Sequence, residues 1–329
     1  MTHLRRVGFT STIPLEVLIA AGAVPIDLNN VFITHPNSIT LIEDAELAGF
    51  PRNVCAWIKG IYGAVVSCGV SDMIAVTEGD CSYTKALMEV LSLKGVRVHP
   101  FAYPAGRGSE ALRVEIEKLM ARFEVSWEEV NAAKGRLDPI RSKVHEIDRL
   151  SWQEDLVSGR ENHYFQVCTS DMNGAPDLFE AEVDAFLAEA LLRPARKERL
   201  RLAYLGVPPI VSGLYDFLED MGARVVFNET QRQFSMPYGI PDLVQQYRAY
   251  TYPYDIFHRI QDISREIEAR RVDGVIHYVQ SFCFRQIEDM VLRKTINLPM
   301  LTLEGDKPSE IDARTKIRVE GFLELLEDR

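Results

Sequence analysis

Two stretches of this sequence, one in each half, follow the same order of residue types. Asp273-Gly-Val-Ile-His-Tyr-Val-Gln-Ser-Phe-Cys283 is an apolar run that turns polar and delivers a cysteine, with a helix expected beyond it through Leu292. Met73-Ile-Ala-Val-Thr-Glu-Gly-Asp-Cys81 repeats that order, with a helix expected over Ser82 to Leu93. A short continuous apolar run reads as a strand buried on both faces, and strands alternating with helices make a parallel sheet covered by helices. Ligands of such sheets sit outside the carboxyl ends of the strands, where helix N-termini also point. The pattern therefore expects two thiols at two such edges, facing each other across a cleft.

The rest of the chain fills in around these two edges. Residues 1–104 read as an N-terminal α/β domain, with strands at Val7 to Thr12, Val24 to Leu28, Met73 to Thr77 and Val96 to Phe101. A helix is expected from Pro14 to Gly22, capped by Thr12, and another over Arg52 to Tyr62 with Cys55 near its start. Residues 105–199 carry helical periodicity and heavy charge, as over Glu110 to Phe123, Trp127 to Leu150 and Leu178 to Leu192, and read as a mostly helical connector. Residues 200–329 read as a C-terminal α/β domain carrying Cys283, with a strand expected at Gly274 to Val279. Glu-Gly-Asp stands at both Glu78 to Asp80 and Glu304 to Asp306, each after an apolar strand, a weak trace of duplication.

Composition narrows the classes of partner. The net charge of −11 opposes wrapping a nucleic acid. No apolar run reaches the ~18 residues of a membrane span. Met1 to Arg6 has no long apolar region of a signal peptide, so a cytoplasmic chain is expected. The five cysteines, at 55, 68, 81, 168 and 283, are too scattered for a disulfide framework.

Zinc sites draw on CxxC pairs, and none occurs here. Cys55, Cys81 and Cys283 stand at strand-to-helix or helix-start positions, where thiolates are stabilised. That placement suits a 4Fe-4S cluster with three cysteine ligands and one open iron, while buried apolar thiols fit the same pattern. Glu78, Asp80, Glu304 and Asp306 read as acid–base candidates or as caps. Ser11, within Thr10-Ser11-Thr12, reads as part of a cap or as a substrate contact. His277 lies inside an apolar strand and reads as a core histidine. Walker A and dinucleotide fingerprints are absent.

With these residues in view, the chain resembles the 2-hydroxyacyl-CoA dehydratase D-component family, which includes benzoyl-CoA reductase subunits. The resemblance starts at Gly8-Phe-Thr-Ser-Thr-Ile-Pro-Leu-Glu-Val-Leu-Ile-Ala-Ala-Gly-Ala-Val-Pro and continues through Asn53-Val-Cys and Gly79-Asp-Cys81. It is most specific at Asp273 to Cys283, followed by Pro299-Met-Leu-Thr-Leu-Glu-Gly-Asp306 and Arg318-Val-Glu-Gly-Phe322. It implies two flavodoxin/Rossmann-like parallel-sheet domains joined by a helical segment, with the cluster on Cys55, Cys81 and Cys283. It also implies a related dehydratase subunit, in a hetero- or homodimer, and an ATP-hydrolysing iron-sulfur activator that supplies one electron. The expected reaction is radical (ketyl) elimination of water from a 2-hydroxyacyl-CoA thioester, with Glu78, Glu304 and Ser11 as cleft residues. An electron-relay subunit, a benzoyl-CoA type reductase subunit and a clusterless binding protein are the rival readings.

Overall fold

The computed structural model describes residues 5–328; Met1 to Leu4, where no targeting segment is expected, lie outside the described residues. Two four-stranded sheets, parallel throughout, are flanked by helices, as the alternating pattern implies. By its contacts the chain forms two compact units. The first comprises Met1–Ser142, Cys168–Ala181 and Met236–Asp255; the second comprises Lys143–Val167, Glu182–Ser235 and Ile256–Arg329.

The first unit opens with β1 (Arg6–Phe9), α1 (Leu15–Ala20), β2 (Val24–Asp27), α2 (Leu28–Thr34) and α3 (Ser38–Leu47). It continues with α4 (Ala56–Cys68), β3 (Asp72–Glu78), α5 (Tyr83–Leu93), β4 (Arg97–Ala102) and α6 (Ser109–Phe123). The strands lie in the order β2-β1-β3-β4. Val7, Phe9 and Met73 to Val76 are fully enclosed, so these strands are covered on both faces. α2 starts where β2 ends because the Asp27 carboxylate accepts the Asn29 amide.

The charged stretch after α6 is helical, in α7 (Trp127–Trp152), α8 (Gly159–Cys168) and α9 (Pro176–Ala190). The second unit then adds β5 (Leu200–Leu205), β6 (Val211–Ser212), α10 (Leu214–Asp220), β7 (Ala223–Asn228) and α11 (Glu229–Phe234). After α12 (Leu243–Ala249), which belongs to the first unit, come α13 (Ile256–Ala269) and β8 (Gly274–Gln280). A 3₁₀ turn at Phe284–Glu288, α14 (Asp289–Thr295), β9 (Met300–Gly305), β10 (Ser309–Glu310) and α15 (Ala313–Glu327) close the chain. The order here is β7-β5-β8-β9, with β6 and β10 as a separate parallel pair. Ala203, Leu205, Phe227, Val275, Ile263 and Leu292 form its apolar centre.

Both sheets thus have one topology. In each, the second strand lies on one side of the first, the third on the other, and the fourth beyond the third. The direction of winding reverses between the first and third strands, which is where open α/β sheets leave a crevice for ligands. Cys81 and Cys283 each follow the third strand of their sheet. The repeated Glu-Gly-Asp does not share that equivalence: it follows the third strand in one sheet and the fourth in the other.

Three local expectations shift. The helix around Cys55 begins at Ala56, not Arg52, with Cys55 at its N-cap position. Pro14, not Thr12, is the cap residue of α1, and the Thr12 carbonyl instead accepts the Tyr103 hydroxyl at 2.9 Å. The helix after Cys283 is broken into the 3₁₀ turn and α14, each with its own role at the site.

Candidate functional site

In the first unit the crevice edge is made by Thr10-Ser11-Thr12 after β1 and by Glu78-Gly79-Asp80-Cys81 after β3. Thr10 ties the two together: its backbone amide donates to the Ile74 carbonyl at 3.2 Å, and its hydroxyl accepts the Val76 amide at 3.0 Å. Ser11 sits half-buried between Thr10 and Thr12. The Thr12 hydroxyl is enclosed without a hydrogen-bond partner, a donor left over at this edge. Gly79 adopts φ +88, and a Cβ there would stand 2.8 Å from the Cβ atoms of Tyr103 and Pro253. Only glycine fits, and the turn it makes leads straight to Cys81. The Glu78 carboxylate accepts the Ala105 amide at 3.1 Å, so it also anchors the loop after β4. Cys55 is buried at the N-cap position of α4.

The second unit builds its edge differently. The Ser281 amide donates to the Gly305 carbonyl at 2.8 Å and its hydroxyl to Glu304 at 3.0 Å, so the Glu304 carboxylate stands beside the Cys283 turn. Glu304 itself is exposed. The Cys283 amide donates back to the Gln280 carbonyl at 3.0 Å. Beyond it, Glu288 is held by Arg259 and Arg285, and Arg259 also grips Glu229 at 2.7 Å. His277 is the satisfied core histidine expected: its Nδ1 donates to Asp289 at 2.7 Å. Burial holds the imidazole pKa below its ordinary value despite that carboxylate, so a neutral ring anchors α14 to β8. The second Glu-Gly-Asp has a packing reason of its own, because a Cβ on Gly305 would collide with the Tyr278 hydroxyl.

Behind the first edge lies a buried network with no counterpart among the sequence expectations. Arg141 donates to Glu16 at 2.7 Å, Tyr247 to the other Glu16 oxygen at 2.7 Å, and Gln246 to the first at 3.1 Å. Burial alone would raise the Glu16 pKa; the Arg141 charge and these hydrogen bonds hold it below the ordinary carboxylate value. Tyr103, Tyr250 and Tyr254 pack together beside it, with Arg107 over the Tyr254 ring at 4.8 Å. The run Tyr247, Tyr250, Tyr252, Tyr254 was the available signal, since clustered tyrosines seldom mark a plain core.

A cavity of about 770 Å³ also opens in the second unit, among Asp155, Arg160, Glu161, Phe165, Phe186 and Arg224. It adjoins Arg224 at the amino end of β7, the wrong end of a parallel sheet for a ligand. Three of its lining arginines are paired as well, Arg224 with Asp155 and Glu198, Arg193 with Glu161, and Arg160 with Asp216. We therefore place the candidate site at the carboxyl edges.

None of the five cysteines pairs in a disulfide. Cys55 and Cys81 belong to the first unit and Cys283 to the second. Among the described residues no group of three His, Cys, Asp or Glu side chains is set to hold a metal ion. The donor set nevertheless suits an iron-sulfur cluster in its chemistry, with soft thiols at helix starts or after the third strands. Among the described residues no helix is long and apolar enough to cross a membrane. A family model described as 2-hydroxyglutaryl-CoA dehydratase, D-component, matches residues 10–326. No curated relative matches the chain.

Proposed function

Because the chain belongs to the 2-hydroxyglutaryl-CoA dehydratase D-component family, we propose that it is the iron-sulfur component of a 2-hydroxyacyl-CoA dehydratase, with Cys55, Cys81 and Cys283 as cluster ligands. The observation that carries this reading is the equivalence of Cys81 and Cys283, each delivered at the strand-order reversal of its own sheet. A cluster bound there with one iron free of protein ligands supplies a Lewis acid and a one-electron relay.

The chain's own groups have the following tasks. Ser11 donates a hydrogen bond to the thioester carbonyl oxygen and orients it. Glu304, fixed by Ser281 and open to solvent, removes the proton from the carbon next to the hydroxyl-bearing one. Glu78 holds the loop that shapes the first edge. The net reaction loses the hydroxyl group and that proton as water, and the electron supplied at the start is returned, so none is consumed. A second dehydratase component completes the enzyme, and a separate ATP-hydrolysing activator supplies the electron in the cytoplasm.

The test is turnover of a 2-hydroxyacyl-CoA to the enoyl-CoA by the full chain with its partner component and activator, without oxygen. Glu304→Gln should lower kcat by about 100-fold or more while leaving bound iron unchanged. Full activity in that variant would remove Glu304 from the mechanism, and absence of any thioester turnover by the wild type would remove the dehydratase assignment.

A further inference from the structure

The turn that delivers Cys283 contains a residue ill-suited to its backbone. The hydrogen bond from the Cys283 amide to Gln280 closes a four-residue turn whose third residue, Phe282, has φ +63. A positive φ there, with none at Ser281, marks a type II turn, a position that glycine or asparagine normally fills. A side chain with a Cβ is strained in that region, and an aromatic one more than most. Burial of the ring does not offset the strain, because Phe282 is 47% exposed. Strain kept at such a place is a mark of function.

The neighbours of Phe282 give that function a chemistry. Phe284, on the other side of Cys283, is 48% exposed, and Ile287 and Met290 are exposed beyond it. The arginines of this segment are engaged: Arg285 pairs with Glu288 and lies over the Phe284 ring at 5.2 Å, and Arg293 pairs with Asp289, while Lys294 stands at the far, C-terminal end of α14. The exposed charged side chain hydrogen-bonded to the turn is the carboxylate of Glu304. An acyl chain ending in a second carboxylate would meet aromatic rings and a like charge. An aliphatic or aromatic acyl chain would meet surface of its own kind.

We infer that the thioester taken at this edge carries an uncharged, apolar acyl group, and that Phe282 is the wall it packs against. This rests on the reading of the Cys283 edge as the thioester site. The strained turn is kept because glycine, which would relax it, offers no ring.

The experiment compares 2-hydroxy-4-methylpentanoyl-CoA with 2-hydroxyglutaryl-CoA, titrated into the full chain prepared without oxygen. Wild type, Phe282→Gly and Phe282→Ala are examined, together with the thermal melting of each. The wild type should bind the apolar thioester at least about tenfold more tightly, and both variants should lose most of that preference. Phe282→Gly should melt above the wild type and Phe282→Ala should not, because alanine keeps the strain and loses the ring. Tighter binding of the dicarboxylic thioester, or a full preference in Phe282→Gly, would overturn the inference and leave the thioester site standing. Equal melting of the glycine and alanine variants would overturn the strain on which it is built. Binding of neither thioester would overturn it together with the site.

Discussion

The two sheets wind in the same order, yet they reach their cysteines by different turns. After β3 the chain bends at Gly79, a residue forced to be glycine by Tyr103 and Pro253 packed against it. After β8 it bends at Phe282, where glycine would fit better and an exposed ring stands instead. Topology decides where each thiol lands, and the local turn decides what surrounds it. The first edge is backed by tyrosines and a buried carboxylate; the second displays phenylalanines and an open one.

Each unit also has a buried ion pair, and these give the largest expected effects. In the first unit Glu16 is fully enclosed against Arg141; in the second Arg270 donates to Asp148 at 2.6 Å, with Asn162 and Gln166 on the same carboxylate. Removing one partner strands a charge, so Arg141→Met and Arg270→Met should each cost about 3–5 kcal/mol in chemical denaturation. A loss in only one of them would show that the two units do not depend on their buried pairs alike.

A pH effect should belong to the first unit. The Asp27 amide donates to Asp171 at 2.9 Å, and burial followed by the Asp27 charge pushes the Asp171 carboxyl up to about 7. Burial raises Asp27 as well. Asp171 holds its proton more tightly folded than unfolded, so its contribution is fully present below pH ~4 and is lost as the pH rises through about 7. Urea midpoints should therefore fall between pH 5 and pH 8, and Asp27→Asn should flatten that fall. A wild-type profile that is level across this range would contradict the assignment.

The smallest effect contrasts the two turns directly. Gly79→Ala combines a left-handed backbone with contacts at 2.8 Å and should cost about 2 kcal/mol by thermal melting, the opposite sign from Phe282→Gly. An alanine at position 79 without cost would mean that the first turn is no tighter than the second.

The strands were legible because they are short apolar runs with no rival period. The expected Met73 to Thr77 and Gly274 to Val279 lie inside β3 and β8. The long helices over the charged stretch were equally plain, since their apolar positions recur at helical spacing: Trp127 to Leu150 lies within α7. What escaped were elements set by contacts distant in sequence. α2 follows β2 without a loop because Asp27 serves both, and local pattern reads one strand there. The partnership of Glu16 with Arg141 and Tyr247 spans most of the chain, so no window contains it. Gly305 looked like a repeat of Gly79, yet one makes room for a tyrosine hydroxyl and the other makes a turn. At the site, residue types and strand ends placed Cys81, Cys283 and Glu304 at carboxyl edges. The link from Ser281 to Glu304, and the strain at Phe282, needed coordinates.

The central proposal is that Cys55, Cys81 and Cys283 are the ligands of an iron-sulfur cluster. Iron and acid-labile sulfide, measured on chain prepared without oxygen, test it most directly. The wild type should carry about four irons and four sulfides. Cys55→Ser, Cys81→Ser and Cys283→Ser should each lose most of them, whereas Cys68→Ser should keep them. Equal iron in Cys283→Ser and Cys68→Ser, or a colourless wild type that resists reconstitution, would contradict the claim.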